Sequence, residues 1–440
     1  MFCMECGNEN PAAAHFCAAC GQGTGTVTNA KGAASSPAKQ GGVLQSIGNQ
    51  ISSFASTDKL EGFSLREFFS EVFKKRETNA VDDYFVVGTS RTTPSILDVP
   101  TSWPKPWFFL RVLVFLGLVY LGFYLAFQQF GNPKLIPGLI TMGSLAVPLA
   151  TVILFFELNV PRNISFNRVL MLVASGGIVS LFVALVGFSV SDLGWLGASQ
   201  AGIVEEIGKL LAVILVARSF KGKYILNGLL YGAAVGAGFA FFESAGYAFE
   251  FLEKSGKMDV MFDVIQVRAF LTPFGHVAWT AIAAGALWRV KGDQPFHLHM
   301  LFDGSFLRTM AIPVLLHMTW DSPFTSPFDI HLIVLGVIGW FVVFGLVQQG
   351  LRQIRDEQFH ISQANAVKQL PLPGRSWFIP PCRCPRAKWR RLNSRVALPD
   401  RSYPGRSFFF CSGAVPAAVR RASCPPKQMS PFLKIRRANG

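Results

Sequence analysis

Charge is what this sequence has least of. Only 15% of its 440 residues are Asp, Glu, Lys or Arg, while 50% are hydrophobic. Together with long uncharged runs, that balance excludes a soluble enzyme and indicates a polytopic membrane protein. Cysteine is missing from the whole middle of the chain. Its eight cysteines form two groups of four, one near each end. The first twenty residues lack an apolar core, which argues against a signal peptide. No internal repeat is visible, which counts against a proton-coupled transporter. Basic residues outnumber acidic ones most in the tail. Residues 368–440 hold 16 of the 41 Lys/Arg and a single carboxylate, Asp400, leaving 25 residues of each sign elsewhere. The net charge of +15 therefore belongs to the tail, and no specific nucleic-acid partner is expected.

What is present begins with Cys3-x-x-Cys6-Gly and, ten residues on, Cys17-x-x-Cys20-Gly. Two such knuckles place four thiolates around one tetrahedral Zn²⁺, with the glycines easing the tight turns. Residues 1–22 thus read as a small structural zinc ribbon, because twenty residues cannot build a core without metal. Disulfides are the competing reading. Four cysteines close the site without His15. Thiolate ligation implies a reducing compartment, so this end is expected in the cytoplasm, where the ribbon could meet a partner.

Residues 23–106 read as a flexible linker and an amphipathic helix. Gly, Ala and Ser dominate 23–57. Ser64 and Glu67 then form a capping box before a stripe of Leu65, Phe68, Phe69, Val72 and Phe73. From 107 to 351 eight apolar segments follow, near 107–130, 135–157, 168–190, 198–217, 224–250, 269–289, 304–321 and 330–350. Each approaches the ~20 residues a spanning helix needs. The expected fold is an all-α polytopic membrane protein of about eight transmembrane helices. Lys and Arg collect after the second, fourth, sixth and eighth segments, so the positive-inside rule puts both termini in the cytoplasm. Residues 352–440 read as a basic, disordered tail, rich in Pro, Arg, Ser and Cys beyond about Gln369.

Ionisable groups inside the apolar segments carry the function. Glu205, Glu206 and Lys209 lie in the fourth segment, Glu243 in the fifth, His276 in the sixth, and His317 and Asp321 in the seventh. A charge in a bilayer costs at least ~2.5–3.5 kcal/mol, so such groups persist mainly where they act. A bland alternative is an ion pair of Glu205 with Lys209 one turn later. Topology weakens it, because Glu205, Glu206, Glu243 and His276 all fall roughly 10–12 Å inside the outer ends of their helices. His317 and Asp321, four residues apart, share a face at the outer end of theirs. Amide hydrolysis needs an activated water, a proton donor to the leaving nitrogen and a stabilised oxyanion. A buried Glu205 or Glu206 suits the base, with His276, His317 and Asp321 as proton and oxyanion partners and Lys209 in support. Alternatively the Glu and His residues bind a catalytic metal. Elsewhere, Asp303 reads as a helix cap, Glu157 as interfacial, and His297, His299 and His331 as bystanders. Gly228, Gly232 and Gly236 form a small-xxx-small ladder for close helix packing.

EEIGK at 205–209, FAFFE at 239–243, His276 and HMTWD at 317–321 resemble the ordered motifs of the PrsW family, within the wider group of CAAX and bacteriocin-processing membrane proteases. The resemblance implies an intramembrane endopeptidase. Its substrate would be a membrane-anchored regulator such as an anti-sigma factor, cut near the extracytoplasmic face of a bacterial plasma membrane. It also implies the glutamates and histidines as catalytic. The alternative is a non-proteolytic scaffold or immunity-type binding protein with the same polar cluster.

Overall fold

Apolar runs dictate helices here, because a backbone without water must satisfy its hydrogen bonds internally. The computed structural model describes residues 43–369 apart from 59, 61, 78–82, 219 and 221. The cysteine knuckles at Cys3, Cys6, Cys17 and Cys20, and the tail beyond 369, lie outside the described residues. Among the described residues there is no strand.

Ten helices of eight or more residues are described: α1 (Val43–Phe54), α2 (Phe108–Phe130), α3 (Ile136–Leu158), α4 (Phe166–Val190, with a π turn at Leu172–Gly176), α5 (Gln200–Ala217), α6 (Ile225–Ser255), α7 (Met258–Leu271), α8 (His276–Lys291), α9 (Gly304–Trp320) and α10 (Ile330–Gln369). Six helical stretches are long and apolar enough to cross a membrane: 108–130, 133–158, 166–190, 225–255, 258–291 and 327–366. They support a multi-pass membrane protein. α5 and α9 also form, but α5 carries Glu205, Glu206 and Lys209, and α9 has only 17 residues.

The centre is α6 packed on α8, and glycine sets their distance. A Cβ at Gly232 would lie 2.2 Å from the Thr280 carbonyl oxygen, and one at Gly236 would lie 2.4 Å from that of His276. The ladder therefore brings backbone against backbone, as small-residue membrane interfaces do. On another face of α6, a Cβ at Gly238 would meet the Val173 carbonyl at 1.9 Å. The π turn of α4 sits there. α2 contributes no buried residue.

Several expectations need correction. Glu157 is buried instead of merely interfacial. Its carboxylate accepts the backbone N–H of Trp107 (2.7 Å), Phe108 (2.8 Å) and Phe109 (2.9 Å) and the Tyr84 hydroxyl. It thereby satisfies the orphan donors and positive dipole end of α2 from another helix. Burial, and then the Glu157 charge, push the Tyr84 phenol well above its usual pKa. The amphipathic stripe after Ser64 gives only one helical turn, Leu65–Phe68, followed by turns. Phe68 and Val72 are buried, while Leu65, Phe69 and Phe73 are exposed, so the stripe is divided between two surroundings.

Part of the expected linker is helical. α1 is anchored because Ser56 O accepts from Arg289 Nη1 (2.8 Å) and Gln349 Nε2 (2.9 Å), and Ala55 O from Thr309 Oγ1 (2.6 Å). The expected 251–268 loop is instead mostly α7, which buries Met261, Phe262 and Ile265 against Leu139 and Ala248. α10 continues to 369 and not 350, because Leu351 and Ile354 still find the core. Asp303 caps α9 as expected, accepting from the backbone N–H of Ser305 and Phe306.

Candidate active site

Tertiary folding gathers all seven ionisable residues singled out from the sequence. α5 brings Glu205, Glu206 and Lys209; α6 brings Glu243; α8 starts with His276; α9 ends with His317, and Asp321 caps its C-terminus. Glu206 and Lys209 are wholly buried, and His317 and Glu205 are 2% and 7% exposed.

Lys209 is the hub. Its Nζ lies 2.6 Å from Glu206 Oε1, 2.9 Å from His276 Nδ1 and 3.4 Å from Glu205 Oε2. The pairing of Glu205 with Lys209 exists, but Glu206 is the tighter partner. A helix places both i+3 and i+4 on one face, and tertiary neighbours decide between them. Glu206 Oε1 also faces His317 Nδ1 at 2.9 Å, so one oxygen is held from two helices. Glu206 Oε2 and Glu205 Oε2 are both buried with no hydrogen-bond partner. His317 Nε2 looks toward Asp321 Oδ2 at 3.1 Å and Glu205 Oε2 at 3.8 Å.

Each imidazole is thus oriented by a carboxylate. Glu206 holds His317 through Nδ1, and Glu243 Oε2 holds His276 through Nε2 at 2.9 Å. Glu243 is held in turn by Arg268 Nη2, while Arg268 Nε donates to Ser244 Oγ at 2.9 Å. Arg268 also stacks its guanidinium 4.4 Å over the Tyr247 ring. Trp279 packs 4.6 Å from the His317 ring and 5.4 Å from His276.

Arg268 was missed by sequence reasoning, because it falls between the apolar segments expected near 224–250 and 269–289. Its signal was an isolated cation among Val264, Ile265, Val267 and Phe270, eight positions before His276. Trp279, one turn after His276, carries no signal in the sequence beyond its place in an apolar segment. His297 and His299 stack on each other, and His331 bonds Ser326 Oγ at 2.9 Å, so these three keep outside the network.

One ligand atom from each of Glu205, His276 and His317 lies within 4.8 Å of the others, a group that could hold a metal ion. The donor set fits one. A carboxylate with two imidazoles is a set that catalytic zinc takes, leaving a fourth position for water. Each imidazole also has a carboxylate on its other nitrogen or beside it, the usual outer support of ligating histidines. Charge agrees. Four carboxylates (Glu205, Glu206, Glu243, Asp321) face two fixed cations (Lys209, Arg268), so a divalent ion would balance the cluster.

Residues 165–347 match the model of the PrsW family of intramembrane metalloproteases. The matched stretch contains every residue of this network. Comparison with curated proteins and with solved structures finds no match. The enzyme class follows from the family match: a membrane protease, that is, a peptide hydrolase.

Proposed function

We propose, with a membrane-embedded protease as the premise, that this protein cuts a membrane-anchored regulatory protein of the anti-sigma-factor kind near the extracytoplasmic face. In this reading α5 and α9 also cross the bilayer, giving eight spans, with both termini in the cytoplasm of a bacterium and the site toward the outer side. The loop Lys/Arg asymmetry supports that orientation. A zinc ribbon at Cys3, Cys6, Cys17 and Cys20 would then sit on the cytoplasmic side, available to a partner.

The observation that carries the reading is Glu205. Its Oε2 is buried without a hydrogen-bond partner, yet lies 3.8 Å from His317 Nε2 and 3.4 Å from Lys209 Nζ. A carboxylate kept unsatisfied costs stability, so a water or substrate is its natural partner. Glu205 takes a proton from water as the water oxygen attacks the scissile carbonyl carbon. The carbonyl oxygen gains the negative charge, stabilised by His317, which Glu206 and Asp321 hold in place. When the C–N bond breaks, the proton on Glu205 passes to the leaving nitrogen. Glu243 and Lys209 fix His276 at the opposite side of the centre. Glu205, His276 and His317 would alternatively hold a divalent ion, which would supply a Lewis acid and a water of lowered pKa in place of the Glu205 base.

The test compares cells expressing the wild type with cells expressing Glu205→Gln, a near-isosteric change. New N-termini in the membrane fraction are identified by mass spectrometry. At least one membrane-anchored protein should be cut beside its span in the wild type only. Identical N-termini in both strains, with both proteins present at equal levels, would sink the reading.

A further inference from the structure

A half-open cavity of about 70 Å³ adjoins His276, and the network described above does not use it. Its walls include Ala240 on α6, Gly275 and Trp279 around the start of α8, and Trp320 at the end of α9, with Ser244 and Arg268 at one side. We propose that this cavity receives the substrate side chain next to the scissile bond and selects short, uncharged ones. The inference rests on the protease reading and deepens it.

Position comes first. His276 forms part of the wall, so a group seated there lies beside the reacting centre. Size comes next. At about 10–15 Å³ of free space for each water-sized group, the cavity takes roughly five of them. That admits Gly, Ala, Ser, Thr and Val, and excludes Phe and Tyr. The walls are stiff: Trp279 is 1% exposed and is wedged between the His317 ring at 4.6 Å and the Trp320 ring at 5.4 Å. The charge on Arg268, fixed by Glu243 and Ser244, bars a lysine or arginine side chain.

Gly275 gives the clearest sign that space there is not needed for packing. A Cβ built on it would touch nothing closer than 3.9 Å, in contrast to Gly232 and Gly236, where backbone oxygens stand within 2.4 Å. A methyl group at 275 would take up free space without a clash.

The experiment uses the full-length protein and a co-expressed library of single-span reporter proteins. The library varies the residues at the outer end of the span, and cut products are sequenced. The wild type should favour Gly, Ala or Ser at one position flanking the cut and reject Phe, Lys and Arg. Trp320→Ala should gain cleavage of Phe and Tyr members. Gly275→Val should narrow the preference toward Gly. Each excluded methylene is expected to change relative cleavage by on the order of 10- to 200-fold. Gain of a new substrate class cannot arise from a damaged fold, and Trp320→Leu provides a milder version should the alanine variant not accumulate. Unchanged residue preferences in Trp320→Leu and Gly275→Val, with cleavage intact, overturn the pocket alone. No cleavage of any member by a folded wild type overturns the protease reading and the pocket with it.

Discussion

Replacing Lys209 by methionine removes one charge from a buried cluster while keeping the length and volume of the side chain. Lys209 has no exposed surface, and its ammonium lies 2.6 Å from Glu206 and 3.4 Å from Glu205. At an effective dielectric of about 20, those separations correspond to attractions of about 6 and 5 kcal/mol. Desolvation offsets much of this, and breaking one partner of a buried pair costs about 3–5 kcal/mol net. Methionine leaves almost no cavity, so packing adds little. For a domain of this size each kcal/mol moves the Tm by roughly 2–4 °C, so Lys209→Met should unfold about 10 °C earlier in detergent. Lys209→Met combined with Glu206→Gln removes both members of the tightest pair. It should recover part of the loss, with a coupling of about 2–3 kcal/mol. Thermal unfolding of the four proteins in one detergent measures this cycle. A single variant as stable as the wild type, or a double variant showing the plain sum of the single effects, would refute the view that ion pairing holds the cluster.

Four further outcomes are expected. Full-length protein should carry two zinc ions per chain by elemental analysis. Either His317→Ala or Glu205→Ala should remove one ion, and Cys3→Ser the other; a count unmoved by His317→Ala sinks the intramembrane ligand set. Glu157→Gln leaves one acceptor oxygen for three backbone donors at the start of α2, a loss of about 2–3 kcal/mol that should appear as a lower Tm. Gly238→Ala forces a Cβ to within 1.9 Å of the Val173 carbonyl, and should destabilise by about 1–3 kcal/mol or prevent accumulation altogether, whereas Gly246→Ala, with open space around it, should not. Reporter fusions after Lys223 and after Ser255 should report opposite sides of the membrane; the same side for both would break the orientation.

Much of the site was legible because membrane burial makes charge conspicuous. Glu205, Glu206, Lys209, Glu243, His276 and His317 each stand in an apolar run where a bland residue would be cheaper, and Asp321 falls one helical turn after His317. Helical rise puts Glu205, Glu206, Glu243 and His276 at similar distances from the expected segment ends before any contact is known. Arg268 escaped because it lies at the edge of the polar loop that the hydropathy pattern suggests, and only the folding of α7 along α6 carries it to Glu243. α1 escaped for a related reason. Its composition is that of a linker, and its helix is anchored by Arg289, Thr309 and Gln349, all more than two hundred positions away.

By itself the sequence determined the class of the molecule, a multi-pass membrane protein, because that follows from a local property, the long apolar runs. It also specified that α6 packs closely on some neighbour, since a glycine every fourth position leaves a groove whatever the partner; the fold made that partner α8. Only the tertiary structure decided which carboxylate is held the more closely. Glu205 and Glu206 are adjacent in sequence and equally placed to meet Lys209. His317 arrives from α9 on the Glu206 side, so Glu206 is held through Oε1 at 2.6 and 2.9 Å, while Glu205 has only the longer contacts of 3.4 Å to Lys209 and 3.8 Å to His317. Pair geometry of that kind depends on the approach of a third helix, and no local rule contains it.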